Sequence, residues 1–454
     1  MMEIPCGMQE QFLEAKQLIE SSNDIKIYTH TDCDGICSGA ILSIILDRLN
    51  KDYEIEFVNL DEIEDLDLDH KLTIFSDLGS GQGVDKNAKN GQKILILDHH
   101  PPLRDINYKN DKAYTYLEIN PMFYGIDGSY YVCGGGLCYF LAKTFGFKDL
   151  SWIGVLSAIG DMQNNKTGHF EGLNEIIQKD AINEGLLKVT KNDLNIYGRS
   201  TRPLYVALSY FSDVKLPTTN NQQEAKVVLE ELGVDEKHNR KTLSEVTEED
   251  KMEIKKFLSR MISKRVPPKY LKYVPKLIVG DAYTFLNEEE GSFLRDGSEF
   301  STAMNACGRN RKEAIGVDII KGDRLVALDA LEEVSKTHKY NLATSISKVA
   351  DNYHSEIIEL DNFQYFDCSD FDEDIASNII GTITGMVLGY CNWKKPILGF
   401  SKPKNNQIKV SLRCSKLLAY DGIHFGNMMR EIAKEVGGTG GGPVSYTHLR
   451  AHET

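Results

Sequence analysis

IKIYTHTDCDG, residues 25–35, decides how this chain is read. Five residues of apolar and β-prone character run into His30, Asp32 and Asp34, and the apolar stretch GAILSIILDRL (39–49) follows almost at once. A short apolar run ending in polar residues and then a helical run predicts a buried strand feeding a helix. The pattern recurs. EIEFVN (54–59), LTIFS (72–76), ILIL (94–97) and YTYLEI (114–119) read as further strands. Cys133 to Phe145, opening on Gly134, Gly135 and Gly136, and Trp152 to Asp161 read as helices. Short apolar strands alternating with helices predict an α/β fold whose mostly parallel sheet is covered on both faces.

The ends of these strands carry the chemistry. IKIYT leads into His30, Asp32 and Asp34, LTIFS into Asp77, and ILIL into Asp98, His99 and His100, while Asp161 follows an apolar stretch in AIGDMQ. Parallel strands point the same way, so these residues should converge on the carboxyl edge of the sheet, where such folds place their sites. Singly, an Asp or His at a strand end is more often a helix cap or a turn residue. Three consecutive strand ends of this kind argue against that bland reading. Carboxylates crowded together repel unless a cation neutralises them. Oxygen and imidazole ligands without thiolate favour manganese or magnesium over zinc or iron. An aspartate bridging two ions ~3.5–4 Å apart would form the two-metal clamp of phosphoryl hydrolysis.

HTDCDG (30–35), SDLGSG (76–81), DHHPP (98–102) and IGDMQ (159–163) resemble, in order, the four motifs of the DHH phosphoesterase superfamily. The resemblance implies two Mn²⁺ ions, or Mg²⁺, held by His30, Asp32, Asp34, Asp77, His99 and Asp161, with Asp77 as the bridge. It places His100 near the substrate phosphate and Asp98 behind the histidines as their orienting carboxylate, so that Asp77, Asp98, His99 and His100 form the catalytic group. Downstream, FSTAMNACGRNRKEAIGV (300–317) is similar to the connecting segment of RecJ-type nucleases. KVSLRCS (409–415) and VGGTGGG (436–442) look like the DHH-associated domain that clamps substrate. By that likeness Arg413 would pair with a phosphate, and Gly440, Gly441 and Gly442 would let backbone amides approach another. Pro443 stands where the family pattern continues with a histidine.

What is implied is a RecJ-like exonuclease of archaeal type, cutting single-stranded DNA or RNA to 5′-mononucleotides, with replication-complex proteins as partners in some relatives. Two rival readings are a phosphodiesterase of oligoribonucleotides or cyclic dinucleotides, and a replication scaffold that has lost catalysis. Arg309, with Arg295 and Arg311, either lines a channel tracking the nucleic-acid backbone or forms ordinary surface pairs with Glu299 or Asp296.

The rest of the chain frames this reading. Its 454 residues, 41% hydrophobic and 26% charged, are normal for globular domains. A net charge of −15 counts against a simple nucleic-acid coat but allows a local basic groove. The N-terminus has no hydrophobic leader, and no apolar run approaches the ~18–20 residues that span a bilayer, so the chain reads as cytoplasmic and not membrane-bound. Nine scattered cysteines make neither a disulfide framework nor a zinc ribbon. Gly79, Gly81 and Gly83 mimic a dinucleotide fingerprint, but Val84 fills the third glycine's slot. The predicted organisation is a DHH domain over 1–200 and a helix-rich intermediate module over 201–335, whose charged helices from 220 to 265 read as a solvent face. A smaller α/β DHH-associated domain over 336–442 completes it. PVSYTHLRAHET (443–454) reads as a foreign tail outside the fold.

Overall fold

A computed structural model describes residues 2–60, 62–108, 114–234, 241–351, 357–369, 371, 373–401, 407–423, 425–441 and 446–452. It divides into two compact units, Met1–Thr190 with Ala282–Ser335, and Lys191–Asp281 with Lys336–Thr454. Among the described residues no helix is long and apolar enough to cross a membrane.

The first unit is built on five strands, β1 (Ile25–His30), β2 (Tyr53–Val58), β3 (Leu72–Ser76), β4 (Lys93–Leu97) and β5 (Thr115–Ile119). They lie in the order β2-β1-β3-β4-β5, and every pairing is parallel. Side chains alternate between faces with period two. Ile27, Ile74 and Leu95 therefore share one core, while Tyr28, Phe75, Ile94 and Ile96 share the opposite one. The first core is roofed by α1 (Cys6–Glu20), α2 (Cys33–Arg48), α3 (Gly134–Thr144), α4 (Ser151–Gly160) and α5 (Asn174–Asn183). Both faces are covered as expected, but the second is closed by loop residues such as Leu68, Leu78 and Val84 rather than by α-helices.

Register fixes where the strands stop. Thr29 pairs with Ser76, Ser76 with Leu97 and Leu97 with Ile119. His30, Asp77, Asp98 and Asn120 consequently follow in one row along the carboxyl edge. The segment 282–335, which the sequence grouped with the intermediate module, packs in this unit. Phe300, Ala303, Met304 and Cys307 recur at helical spacing on the Gly297–Arg309 helix and are buried in the first core. Phe300 stands edge-on to Phe285 at 5.9 Å, and Phe285 lies 5.7 Å from Trp152.

In the second unit the charged stretch from 220 to 265 is not simply solvent-facing. Its helices Gln222–Glu231 and Glu248–Ser263 bury one stripe each, including Ala225, Leu229, Ile254, Leu258 and Ile262. The latter begins in a capping box, with Thr247 Oγ1 accepting from the Asp250 amide and Asp250 accepting in return. Strands β6 (Leu187–Leu194) and β7 (Val279–Phe285) pair with each other. A six-stranded sheet is made of β8 (Ile358–Glu359), β9 (Gln364–Asp367), β10 (Ile397–Ser401), β11 (Gln407–Arg413), β12 (Thr439–Gly441) and β13 (Tyr446–His452), in the order β12-β13-β11-β10-β9-β8. The last of these corrects the expectation that the tail stands outside the fold, for its backbone pairs antiparallel with both β11 and β12. Main-chain ladders accept any non-proline sequence, so the open edge of β11 rather than the tail's residue types explains the pairing.

Phe300 is fully buried and belongs to the aromatic cluster around Trp152. Phe300→Ala is expected to cost about 3–5 kcal/mol of first-unit stability. Trp152 and Trp393 are the chain's two tryptophans, one in each unit. In a Trp393→Phe background, urea unfolding followed by Trp152 fluorescence should show the lowered midpoint; an unchanged one would refute the placement of this helix.

Candidate metal centre

The first wall of the site comes from the β1–α2 turn. Asp32 caps α2 by accepting from the Gly35 amide at 3.0 Å, and Thr29 Oγ1 donates to the Gly35 carbonyl at 2.7 Å. A side chain at Gly35 would strike the His30 carbonyl, so the tight turn requires glycine. The turn is gripped from outside by the Gly297–Arg309 helix. Asn305 Oδ1 accepts from the Cys33 amide at 3.1 Å, and Gly308 packs flush on the Thr31 carbonyl. His30 Nδ1 lies 3.1 Å from Asp32 Oδ2 and 3.5 Å from Asp77 Oδ2.

Asp77 leaves β3 with φ +60°, a left-handed conformation rare for a residue with a side chain. Its other oxygen, Oδ1, lies 3.3 Å from His99 Nε2. His99 Nδ1 sits 2.8 Å from the Gly128 carbonyl, and donation there turns the Nε2 lone pair toward Asp77 and Asp34, the latter 3.6 Å away. Asp161, at the end of α4, approaches His99 Nδ1 at 3.8 Å. Ligand-type atoms group within 4.8 Å of one another as His30–Asp32–Asp77, as Asp34–His99–Asp161 and as Asp77–Asp98–His99–His100. Asp77 and His99 join the groups into one centre.

Asp98 looks the other way. It accepts from the His99, His100 and Ser80 amides, and its Oδ1 lies 2.7 Å from His100 Nδ1. These bonds fix the turn at 98–100 and the His100 ring, and His100 is left half-exposed.

Burial and crowded charge set the electrostatics. Burial, reinforced by the Asp34 and Asp32 carboxylates, pushes Asp77 up to about 8. Burial also pushes Asp161 up to about 6, opposed by His99 and reinforced by Asp34. Burial works against a charged His99, but Asp161, Asp77 and Asp34 outweigh it and hold the imidazole well above its ordinary value. His30 behaves alike, burial being outweighed by Asp32 and Asp77. Asp98 runs opposite. Its burial is overcome by His100, which holds it below the usual carboxylate range. Carboxylates and imidazoles crowded in this way fit a cation, whose charge would relieve their repulsion. Two atoms make the fit specific. Asp77 Oδ2 and His99 Nε2 are buried with no hydrogen-bond partner, and both face the other ligands. An all-oxygen-and-imidazole donor set suits Mn²⁺ or Mg²⁺.

Several supporting residues escaped the sequence reading. Asp34 is held by the Gly134 and Gly135 amides at 2.8 and 2.7 Å, at the N-terminus of α3, and by the Ser157 hydroxyl. A Cβ at Gly134 would lie 2.6 Å from that of Asp77. The glycine run opening α3 was visible, and its position just before a helix was the signal. Gln163 donates to Asp161 and to the Gly128 carbonyl, both at 2.7 Å, and accepts from buried Asn174. Asn120 bridges Ser80 Oγ and the His100 carbonyl.

The expected substrate contacts fare differently. Arg309 lies in the first unit, close enough to Asp32 to feel its charge. Arg295 bonds to the Glu288 carbonyl and approaches Glu290 at 3.6 Å. Arg413 belongs to the second unit and donates to the Leu412 carbonyl at 2.9 Å. Gly440 and Gly441 are paired in β12 with Leu449 and His448 of β13 instead of forming an open loop. Gly442 and Pro443 lie outside the described residues.

Comparison with known proteins gives three family-model matches. These are the DHH family N-terminal domain at residues 24–156, the DHH-CID domain at 196–274 and the DHHA1 domain at 361–445. An uncharacterized protein of Methanocaldococcus jannaschii is 30% identical over 426 residues, covering 92% of this chain and 87% of that protein. Among solved structures, CDC45 from Entamoeba histolytica aligns over 98% of this chain and 96% of its own, with TM-score 0.62 and 14% identity. RecJ with Mn²⁺ from Thermus thermophilus aligns over 100% of this chain and 53% of its own, with TM-score 0.55 and 13% identity. At these identities the structural matches establish a shared fold.

The shifts give the centre a pH signature. Between about pH 4 and the raised values of Asp161 and Asp77, the folded chain holds protons that the unfolded chain has released, so stability falls as pH rises. The raised histidines act with the same sign from about pH 6.5 upward. Metal-free protein should therefore lose melting temperature from about pH 6 to about pH 9, and Mn²⁺ should raise it more at the alkaline end. Thermal melts with EDTA and with Mn²⁺ test this; an EDTA curve climbing through that range contradicts it. Gly134→Ala, which crowds Asp77, should remove the Mn²⁺ response.

Proposed function

The chain belongs to the DHH family, and from that premise we propose that its strand-end cluster is a two-metal centre hydrolysing phosphodiesters of single-stranded nucleic acid. The observation that carries the proposal is the pair of buried, unpartnered atoms, Asp77 Oδ2 and His99 Nε2, within a complete set of ligands. His30, Asp32 and Asp77 would hold one Mn²⁺ or Mg²⁺, and Asp34, Asp77, His99 and Asp161 the other, with Asp77 shared. The bound metals would supply an acidified water as nucleophile and positive charge for the phosphate oxygens.

The remaining roles belong to the protein's own groups. Against burial and the neighbouring His99, Asp98 raises His100 above the ordinary histidine value, so the half-exposed imidazole carries a proton to donate to a phosphate oxygen. Arg309, beside Asp32, would pair with the same or the adjacent phosphate. Arg413 of the DHHA1-matching segment would pair with a phosphate, as the family likeness implies. We assign exonucleolytic trimming to 5′-mononucleotides as the outcome, with replication or repair as its setting. One structural relative is described as an exonuclease RecJ bound to manganese, with TM-score 0.52, 12% identity and coverage of 99% of this chain and 91% of its own.

Asp77→Asn tests the reading cleanly, because asparagine tolerates the positive φ that Asp77 adopts. Mn²⁺-dependent release of mononucleotides from end-labelled single-stranded DNA or RNA should fall about a thousand-fold or more, on the order of 4 kcal/mol of transition-state stabilisation. The circular dichroism spectrum should not change. Undiminished cleavage in the variant would remove Asp77 from the chemistry. Faster turnover of dinucleotides than of long strands by the unmodified protein would replace the exonuclease with a small-substrate phosphodiesterase.

A further inference from the structure

The chain is strongly acidic, yet Ile254 to Gly280 carries eight lysines and arginines and no aspartate or glutamate. This run lies in the second unit, mostly within the segment matching the DHH-CID domain, and holds no part of the metal cluster. It comprises most of the Glu248–Ser263 helix, a 3₁₀ segment Pro268–Tyr273 and a short helix Val274–Ile278. Between the two α-helices lies a cavity of about 470 Å³. One wall presents Lys255, Lys256 and Arg260 with the hydroxyls of Ser259 and Ser263, and Pro275, Ile278 and Val279 form an apolar side.

The cations are available. Lys256 and Arg260 are exposed and four residues apart on one helix face, and Lys264 continues the row one turn later. The side chains of Arg260 and Lys264 have no hydrogen-bond or ion-pair partner among the described residues, whereas Lys256 pairs with Glu253 at 2.7 Å and Lys255 donates to the Asn192 carbonyl. Holding four like charges on about two and a half turns is unfavourable without a counter-charge. Lysine, arginine and serine are the side chains that contact phosphate oxygens, and an adjoining apolar wall suits a sugar or base face. An acidic peptide would satisfy the cations but leave that wall without a natural occupant.

We propose that this cavity and the Lys256–Arg260–Lys264 row form a second binding track for single-stranded nucleic acid, separate from the metal centre. It leans on the proposed function only for the choice of polyanion. The track engages phosphates without base selection, so its grip is electrostatic and salt-dependent.

The test is equilibrium binding of a fluorescent single-stranded oligonucleotide to the full chain in EDTA, where no turnover occurs, across a salt series. The triple variant Lys256→Ala, Arg260→Ala, Lys264→Ala should bind about ten-fold or more weakly at moderate salt. Its slope of log affinity against log salt should be shallower by about 2, three lost contacts at ~0.7 each. Its Mn²⁺-dependent cleavage of a dinucleotide should equal that of the unmodified chain. Equal affinity and slope in the two proteins would overturn the track whatever the metal centre does. So would unchanged oligonucleotide binding combined with lost binding of polyglutamate, which would reassign the face to an acidic protein segment. An inactive metal centre with the predicted salt slope would retain the track and reject the nuclease reading alone.

Discussion

Asp77 holds one carboxylate between two imidazoles, 3.5 Å from His30 and 3.3 Å from His99, on a backbone at φ +60°. Everything around it is arranged to permit that placement. The in-register pairing of β1, β3 and β4 brings the three strand ends level. Gly134 leaves room against the Asp77 side chain. Asp34, the next carboxylate, is held by two amides at the start of α3, where the helix dipole favours negative charge. Left-handed backbone at a residue with a side chain costs on the order of 1–3 kcal/mol and persists only where its surroundings enforce it. Here the enforcement comes from an entire sheet edge.

The motif residues were legible in the sequence because they follow strands with a clear apolar period, and in a parallel sheet strand ends are spatial neighbours. What held them was not legible. Gly128 accepts from His99 through its backbone carbonyl, which no residue pattern encodes. Asn305 and Gly308 grip the β1–α2 turn from a segment 272 residues away in the case of the Asn305–Cys33 bond. The same long-range packing moved 282–335 out of the predicted intermediate module, since helical amphipathicity shows that a face is buried but not against what. The charged stretch from 220 to 265 misled for the opposite reason. Its many charges masked narrow apolar stripes that are enough to bury a helix side. The tail strand was missed because backbone pairing leaves little trace in side-chain pattern.

Net charge illustrates how a sum conceals a distribution. A net charge of −15, taken alone, disfavours binding to polyanions. Some of its acids, however, sit in the strand-end cluster, where bound cations would cancel them, and others are tied in pairs such as Asp193 with Arg199 and Lys251. Basic residues meanwhile collect over 254–280 without any acid among them. Screening confines the effect of an exposed charge to about 8–10 Å at ordinary salt, so a phosphate near that run responds to local cations rather than to the molecular total.

Likeness of fold to both RecJ and CDC45 leaves the chemistry open, since one fold hosts many functions. The centre itself supplies an argument independent of the fold. A buried donor or acceptor left unpaired costs about 1–3 kcal/mol, and a buried carboxylate costs more. Asp77 Oδ2 and His99 Nε2 make no well-formed hydrogen bond, though His30 Nδ1 and Asp77 Oδ1 lie 3.5 and 3.3 Å from them, and Asp34 adds repulsion at both Asp77 and Asp161. A leucine or an amide at any of these positions would relieve the repulsion, and the two-metal centre proposed above accounts for why carboxylates and imidazoles stand there instead.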